Sequence, residues 1–173
     1  MSKSLLGLIF LFFNFTLFFG IIEFNILPDF VGYILLYFGA KELGKRSIKF
    51  NNVALIAAIS FFISVILSFI AYLSTGISDN VFELLSILTT CIVILLLYLF
   101  VRGIKDLEKI DDNNYGSKFL FISWMLLTAF ALISYLILLL PDLTSILAIV
   151  NICSHILFIS SFYRSTKMYN DYR

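Results

Sequence analysis

The sequence predicts an all-α membrane protein with six transmembrane helices, arranged as three hairpins with both termini in the cytoplasm. Hydrophobic residues make up 61% of its 173 residues, and charged residues make up only 13%. An average soluble domain is about 45–50% apolar and about 25% charged. A soluble domain of this size still exposes about a third of the surface area that its unfolded chain exposes. Too few polar residues are present to cover that area, so a water-soluble fold is excluded. The net charge of +1 and the two cysteines also exclude nucleic-acid binding and a disulfide scaffold.

Six uncharged runs are candidates for the membrane spans, because a crossing helix needs about 20 mostly apolar residues. The runs cover residues 5–24, 26–43, 53–74, 81–101, 119–140 and 143–163. Only helices and closed barrels can cross lipid, since every backbone polar group must be hydrogen-bonded. The runs are continuous rather than alternating, which favours helices. We therefore expect residues 1–173 to form a single transmembrane domain embedded in a lipid bilayer.

Charge placement sets the predicted orientation. The 12 basic residues fall before the first run, after the second, between the fourth and fifth, and after the sixth: Lys3; Lys41, Lys45, Arg46, Lys49; Arg102, Lys105, Lys109, Lys118; Arg164, Lys167, Arg173. The other connections carry acidic residues: Glu23, Asp29, Asp79, Glu83, Asp142. Basic residues collect on the cytoplasmic side, which predicts cytoplasmic termini in a cell membrane. Four acidic residues nearly cancel the bases of residues 102–118, which favours a solvated connector over a lipid-binding patch.

The second run is short for a crossing. From Asp29 to Lys41 a helix rises about 18 Å, against a hydrocarbon core of about 30 Å. We therefore expect the first turn to be recessed. It would form an outward-facing acidic depression that carries Glu23, Asn25, Asp29 and Tyr33. Glu23 ends the predicted first helix, where the helix dipole disfavours a carboxylate, so it is the strongest candidate for a functional role.

Three polar side chains are predicted at membrane depth, where they are costly. Asn14 lies in the middle of the first run, and Asn151 and His155 lie four residues apart in the sixth, on one helix face. If helices one and six are neighbours, these residues form the floor of the depression. The alternative is a structural hydrogen bond between helices, worth about 0.6–2 kcal/mol in membranes. No metal site or other cofactor is expected.

The third run carries Ser60, Ser64 and Ser68 at four-residue spacing. Small residues on one helix face allow a neighbouring backbone to approach closely. The stripe therefore indicates packing within the protein, or a docking face for another membrane protein or a second copy of this chain.

Two functions stay open, and neither is catalytic. The sequence contains no G-x-S-x-G, H-E-x-x-H or P-loop motif, which argues against an enzyme. The first hypothesis is a transporter or ligand-binding membrane subunit whose acidic depression admits a cation or a small polar ligand. The second is a non-catalytic accessory or assembly protein that binds another membrane protein through the serine stripe.

The stretch from Leu27 to Leu36, LPDFVGYILL, resembles a segment of small, uncharacterised polytopic membrane proteins of low-GC Gram-positive bacteria. The resemblance covers about ten residues and implies a bacterial plasma membrane location. It implies no particular activity.

Overall fold

The computed structural model describes residues 1–12, 16–19, 22–25, 29–73, 79–137 and 144–172. In these ranges six helices occur, and one pair of short antiparallel strands. The elements are α1 (Ser2–Phe12), β1 (Thr16–Phe19), β2 (Ile22–Asn25), α2 (Asp29–Gly44), α3 (Lys49–Leu73), α4 (Asp79–Asp111), α5 (Ser117–Ile137) and α6 (Thr144–Tyr172). The predicted helical class is confirmed.

The long apolar helices of this fold are largely exposed. Three helices in the described part are long and apolar enough to cross a membrane: Lys49–Phe69, Leu84–Asp111 and Ser117–Ser134. Only 22% of each apolar window is buried. In contrast, the buried polar residues of the described ranges are all serine or threonine, types that soluble proteins mostly expose. The fold thus combines a buried apolar core, which includes Leu36, Leu97 and Phe158, with an exposed apolar surface on its long helices. An apolar surrounding medium favours such a surface.

The sequence predicts six helical spans, whereas three helices of the described residues are long and apolar enough to cross a membrane. The largest difference lies in the predicted span 5–24, where α1 ends at Phe12 and the strands β1 and β2 follow. The strand segments TLFF and IEFN are rich in aromatic and β-branched residues, which favour strands over helix. In the predicted span 26–43, the structure describes α2 from Asp29, and α2 has 16 residues and rises about 24 Å.

The chain divides into two compact units, Met1–Phe100 and Val101–Arg173. In the first unit, α2 packs against both α1 and α3. The contact between α1 and α2 is very close. A Cβ atom added at Gly7 would lie 2.8 Å from the carbonyl oxygen of Gly32, and one added at Gly39 would lie 2.8 Å from the backbone nitrogen of Ser4. Only glycine permits this approach of the two backbones.

In the second unit, α5 packs against α6, and the predicted connector 102–118 is largely helical. α4 continues to Asp111, because Ile104 and Leu107 are fully buried at a spacing that places them on one helix face. The connector between helices is therefore only residues 112–116. It includes two left-handed residues, Asp112 (φ 49°) and Gly116 (φ 78°), which allow the chain to turn sharply.

Candidate functional sites

The predicted acidic depression falls on two consecutive elements of the first unit. β2 carries Glu23, paired with Phe18, and Asn25, paired with Thr16. Four residues after Asn25, α2 begins with Asp29, as the Pro-Asp pair predicts. Asp29 is half-buried, and Tyr33 is buried one turn further along the same helix. Two carboxylates, an amide and a phenol thus follow one another across the β2–α2 junction.

A carboxylate at the first position of a helix has a structural explanation, because the helix dipole stabilises it there. That explanation covers Asp29. It does not cover Glu23, which lies in a strand, where the net dipole is small. Glu23 therefore lies in a β-hairpin and not at the end of the predicted first helix.

On α6, the histidine bonds to its own helix. The His155 Nδ1 atom lies 2.7 Å from the carbonyl oxygen of Asn151, and the Ser154 hydroxyl donates to the same oxygen at 2.7 Å. Since a carbonyl only accepts, Nδ1 carries the proton and Nε2 is left as an acceptor. The side-chain oxygen Oδ1 of Asn151 is buried, with no hydrogen-bond partner in the described part. Asn14 lies outside the described residues, so its predicted cluster with Asn151 and His155 stays a prediction.

The serine stripe of α3 passes from buried to exposed. Ser60 is 3% exposed, and its hydroxyl donates to the carbonyl oxygen of Ile56 at 2.8 Å. Ser64 is half-buried, and Ser68 is exposed. The inner end of the stripe is therefore a packing position, whereas its outer end is open.

Both cysteines, Cys91 and Cys153, are exposed on their helices, although mid-helix positions favour burial. Within the described ranges, no three His, Cys, Asp or Glu side chains come together in a way that could hold a metal ion.

Sequence reasoning missed a cavity of about 280 Å³ in the second unit. It lies where the connector meets the first turns of α5 and the last turns of α6, and Lys118 and Arg164 both line it. The sequence does not reveal the positive charge of this cavity, because the charges of the acidic and basic residues within 102–118 nearly cancel when they are summed. Their separation becomes visible when the contacts of each acidic residue are known.

Comparison of the chain with protein-family models, with curated proteins and with solved structures finds no match in any of the three. The class of protein therefore follows from the fold itself. Three of its described helices are long and apolar enough to cross a membrane, which indicates a helical membrane protein.

Proposed function

We propose that this protein is a multi-pass membrane protein of the bacterial plasma membrane. In this proposal it binds a cation or a small polar ligand in an outward-facing acidic depression, as a transporter or a ligand-binding subunit. The proposal includes six crossings with both termini in the cytoplasm, because this arrangement places all 12 basic residues on the cytoplasmic side.

The first hairpin supports two of those crossings without a 20-residue helix. α1 has 11 residues, a rise of about 16 Å, and β1 has four residues, a rise of about 13 Å. Laid end to end they reach about 29 Å, close to the hydrocarbon thickness of about 30 Å. β2 and α2 provide the return.

The single observation that carries the proposal is the strand pair inside this apolar run. Open sheet edges do not face lipid, because no water is present to satisfy their backbone groups. Non-helical backbone at membrane depth is tolerated where it is buried in protein or lines a water-filled cavity. The β1–β2 hairpin therefore supports the proposal of a wet or protein-enclosed space, to which we assign Glu23, Asn25 and Asp29.

The chemistry of these groups favours a cation. Carboxylate, amide and phenol oxygens are hard ligands that suit metal ions such as Na⁺ and Mg²⁺, and they accept hydrogen bonds from an ammonium group. Partial burial of Asp29 strengthens its attraction for a positive charge, because the local dielectric constant is lower than in water.

Thermal unfolding of the purified protein in detergent tests the proposal, with Na⁺, K⁺, Mg²⁺, Ca²⁺ and choline as separate probes. A ligand that binds the folded state raises its stability, by about 2.7 kcal/mol at 100 times its Kd. We expect one probe to stabilise the wild type, and Glu23→Gln and Asp29→Asn each to remove most of that gain. Asp142→Asn is the matched control, since Asp142 follows the same Leu-Pro pair in the third hairpin.

A stabilisation that survives in Asp29→Asn, or that disappears equally in Asp142→Asn, contradicts an acidic site on the first hairpin. His155→Ala tests the floor of the depression separately. We expect weaker ligand stabilisation if His155 contributes to binding. An unchanged affinity removes α6 from the site.

The second candidate is a non-catalytic accessory protein that binds another membrane protein through α3. The exposed outer end of the serine stripe favours it, because Ser68 lies beside the exposed apolar residues Val65 and Phe69. Ser64→Leu and Ser68→Leu should then abolish copurification of a membrane partner, or self-association, while the variants stay folded. Ser60→Leu is expected to destabilise the chain itself, because Ser60 is buried.

A further inference from the structure

The cavity of about 280 Å³ lies entirely within the Val101–Arg173 unit. One part of its wall is cationic, with the exposed side chains of Lys118 at the start of α5 and Arg164 on α6. Another part is apolar and includes Phe119, Ile122 and Met168. A pocket that combines two cations with an apolar wall suits an amphipathic anion.

Two of the four acidic residues within 102–118 make their contacts with groups other than these two cations. Glu108 accepts the backbone N–H groups of Tyr115 and Ser117, each at 2.8 Å, and also the Ser117 hydroxyl. Asp111 accepts the Tyr115 hydroxyl at 2.7 Å. Neither Lys118 nor Arg164 has an ion-pair partner among the residues that the structure describes. The positive charge in the cavity is therefore available to a ligand.

A buried hydroxyl in the cavity wall is an independent indication of a ligand. Ser165 is 1% exposed, it lines the cavity, and its Oγ atom has no hydrogen-bond partner in the described part of the chain. Buried polar atoms nearly always have a partner. Ser161, one turn earlier on the same wall, is satisfied by Ser123 and by the carbonyl oxygen of Leu157. Ser165 differs in offering an unused donor beside Arg164.

The apolar wall indicates where the rest of the ligand lies. Phe119 is 49% exposed and Ile122 is 46% exposed, and the exposed side chains of Met125 and Leu126 continue this face along α5. A free phosphate would gain nothing from this surface, whereas an acyl chain would lie along it. Basic pockets between transmembrane helices are known to bind lipid headgroups.

We propose that this cavity binds the phosphate group of an anionic phospholipid. Lys118 and Arg164 pair with the phosphate, the Ser165 hydroxyl donates a hydrogen bond to it, and the acyl chain follows the α5 face through Ile122. The depression on the first hairpin plays no part in this site.

The only tryptophan of the chain is a native reporter for the proposal. Trp124 lies six residues after Lys118 on α5, about 9 Å deeper along the helix, near the depth of mid-chain bromine atoms. The protein is reconstituted in vesicles that mix phosphatidylglycerol and phosphatidylcholine, with either lipid dibrominated in turn. Quenching of Trp124 then gives the relative binding constant of the two lipids.

We expect phosphatidylglycerol to be preferred by about fivefold for each cation that contacts it. Lys118→Gln with Arg164→Gln should reduce the preference to about one, and Ser165→Ala should reduce it in part. The matched control is Lys109→Gln with Lys167→Gln, which removes the same charge from exposed side chains outside the cavity. This control should keep the wild-type preference.

Equal loss of preference in the two double variants overturns the proposal, because diffuse surface charge would then explain the binding. Inorganic phosphate provides the second arm. Millimolar phosphate that abolishes the phosphatidylglycerol preference at constant ionic strength assigns the cavity to a soluble anion and overturns the lipid assignment. A preference that persists supports it. Unfolding curves of each variant in detergent confirm that a lost preference is not a lost fold.

Discussion

The helix pairs α1–α2 and α5–α6 pack through different kinds of contact. α1 and α2 approach each other closely at Gly7, Gly32 and Gly39, where an added Cβ atom would meet backbone atoms of the facing helix. α5 and α6 are joined instead by side chains, including a hydrogen bond of 2.6 Å between the hydroxyls of Ser123 and Ser161. Lipid provides no hydrophobic driving force between helices, so close packing and hydrogen bonds must supply the association.

The comparison teaches that the two interfaces should differ in their tolerance of change. A glycine contact has no room to adjust, since any added atom meets backbone. A hydroxyl contact can rearrange, because each serine also has an acceptor within its own helix. Gly32 of the α1–α2 contact lies in the first turn of α2, which begins with Asp29, whereas α5 and α6 carry Lys118 and Arg164 on the cavity wall.

The largest expected effect comes from breaking the glycine contact. A Cβ atom at Gly39 would meet both the hydroxyl and the backbone nitrogen of Ser4, so Gly39→Leu must separate α1 from α2. We expect the free energy of unfolding, measured by titration with dodecyl sulfate in mixed micelles, to fall by about 3 kcal/mol. Phe38→Leu is the control, because the neighbouring Phe38 side chain is exposed. A fall below about 1 kcal/mol for Gly39→Leu would show that the two helices are not in close contact.

A smaller effect is expected at the start of α5. Glu108→Ala leaves the N–H groups of Tyr115 and Ser117 without their acceptor. Hydrogen bonds to a charged group contribute about 1.5–3 kcal/mol, so we expect a loss of about 2 kcal/mol in the same titration. Amide hydrogen exchange should also become faster at residues 113–118.

Glu108→Gln should keep one oxygen acceptor and lose less stability than Glu108→Ala. Asp112→Asn is the second control, because asparagine accepts the left-handed backbone of this position. Unchanged exchange at Ser117 in Glu108→Ala would contradict the capping role of this carboxylate.

Sequence patterns predict those parts of this fold that depend on a single local property of the chain, such as its hydrophobicity or a helix-start signal. Uncharged runs locate the helical segments, and Pro28-Asp29 locates the start of α2, because proline and aspartate both favour a helix start. The β1–β2 pair escapes the prediction because its residues are as apolar as a helical span. The discriminating signal is Gly20 between two aromatic and β-branched runs, a pattern typical of a hairpin.

The sites separate in the same way. Asp29 and Tyr33 were predictable, since their spacing on one helix is a local property. The cavity lined by Lys118 and Arg164 was not predictable, since these residues lie 46 positions apart in the sequence. Only the packing of α5 on α6 brings them to one cavity wall. The charge balance of residues 102–118 even argued against it. Glu108 and Asp111 reverse that argument, because their contacts with the connector leave the cavity cationic.

The smallest expected effect sharpens the comparison most, and it concerns Ser123 and Ser161. Ser123 also approaches the carbonyl oxygen of Phe119 at 3.0 Å, and Ser161 approaches that of Leu157 at 2.7 Å. Two hydroxyl hydrogens cannot make three hydrogen bonds at once, so one acceptor is always unused. When either serine becomes alanine, the other can donate to its own backbone, and no buried donor is left without a partner.

A double-mutant cycle with Ser123→Ala and Ser161→Ala measures this directly. We expect a coupling energy of about 0.6 kcal/mol, and not above about 1.7 kcal/mol, from the same dodecyl sulfate titration. Ser134→Ala is the control on α5, because its hydroxyl donates to the carbonyl oxygen of Phe130 in its own helix, and its coupling to Ser161→Ala should be zero. A Ser123–Ser161 coupling energy as large as the loss of unfolding free energy in Gly39→Leu would mean that the hydroxyl contact tolerates substitution no better than the glycine contact. The two helix pairs would then not differ in kind.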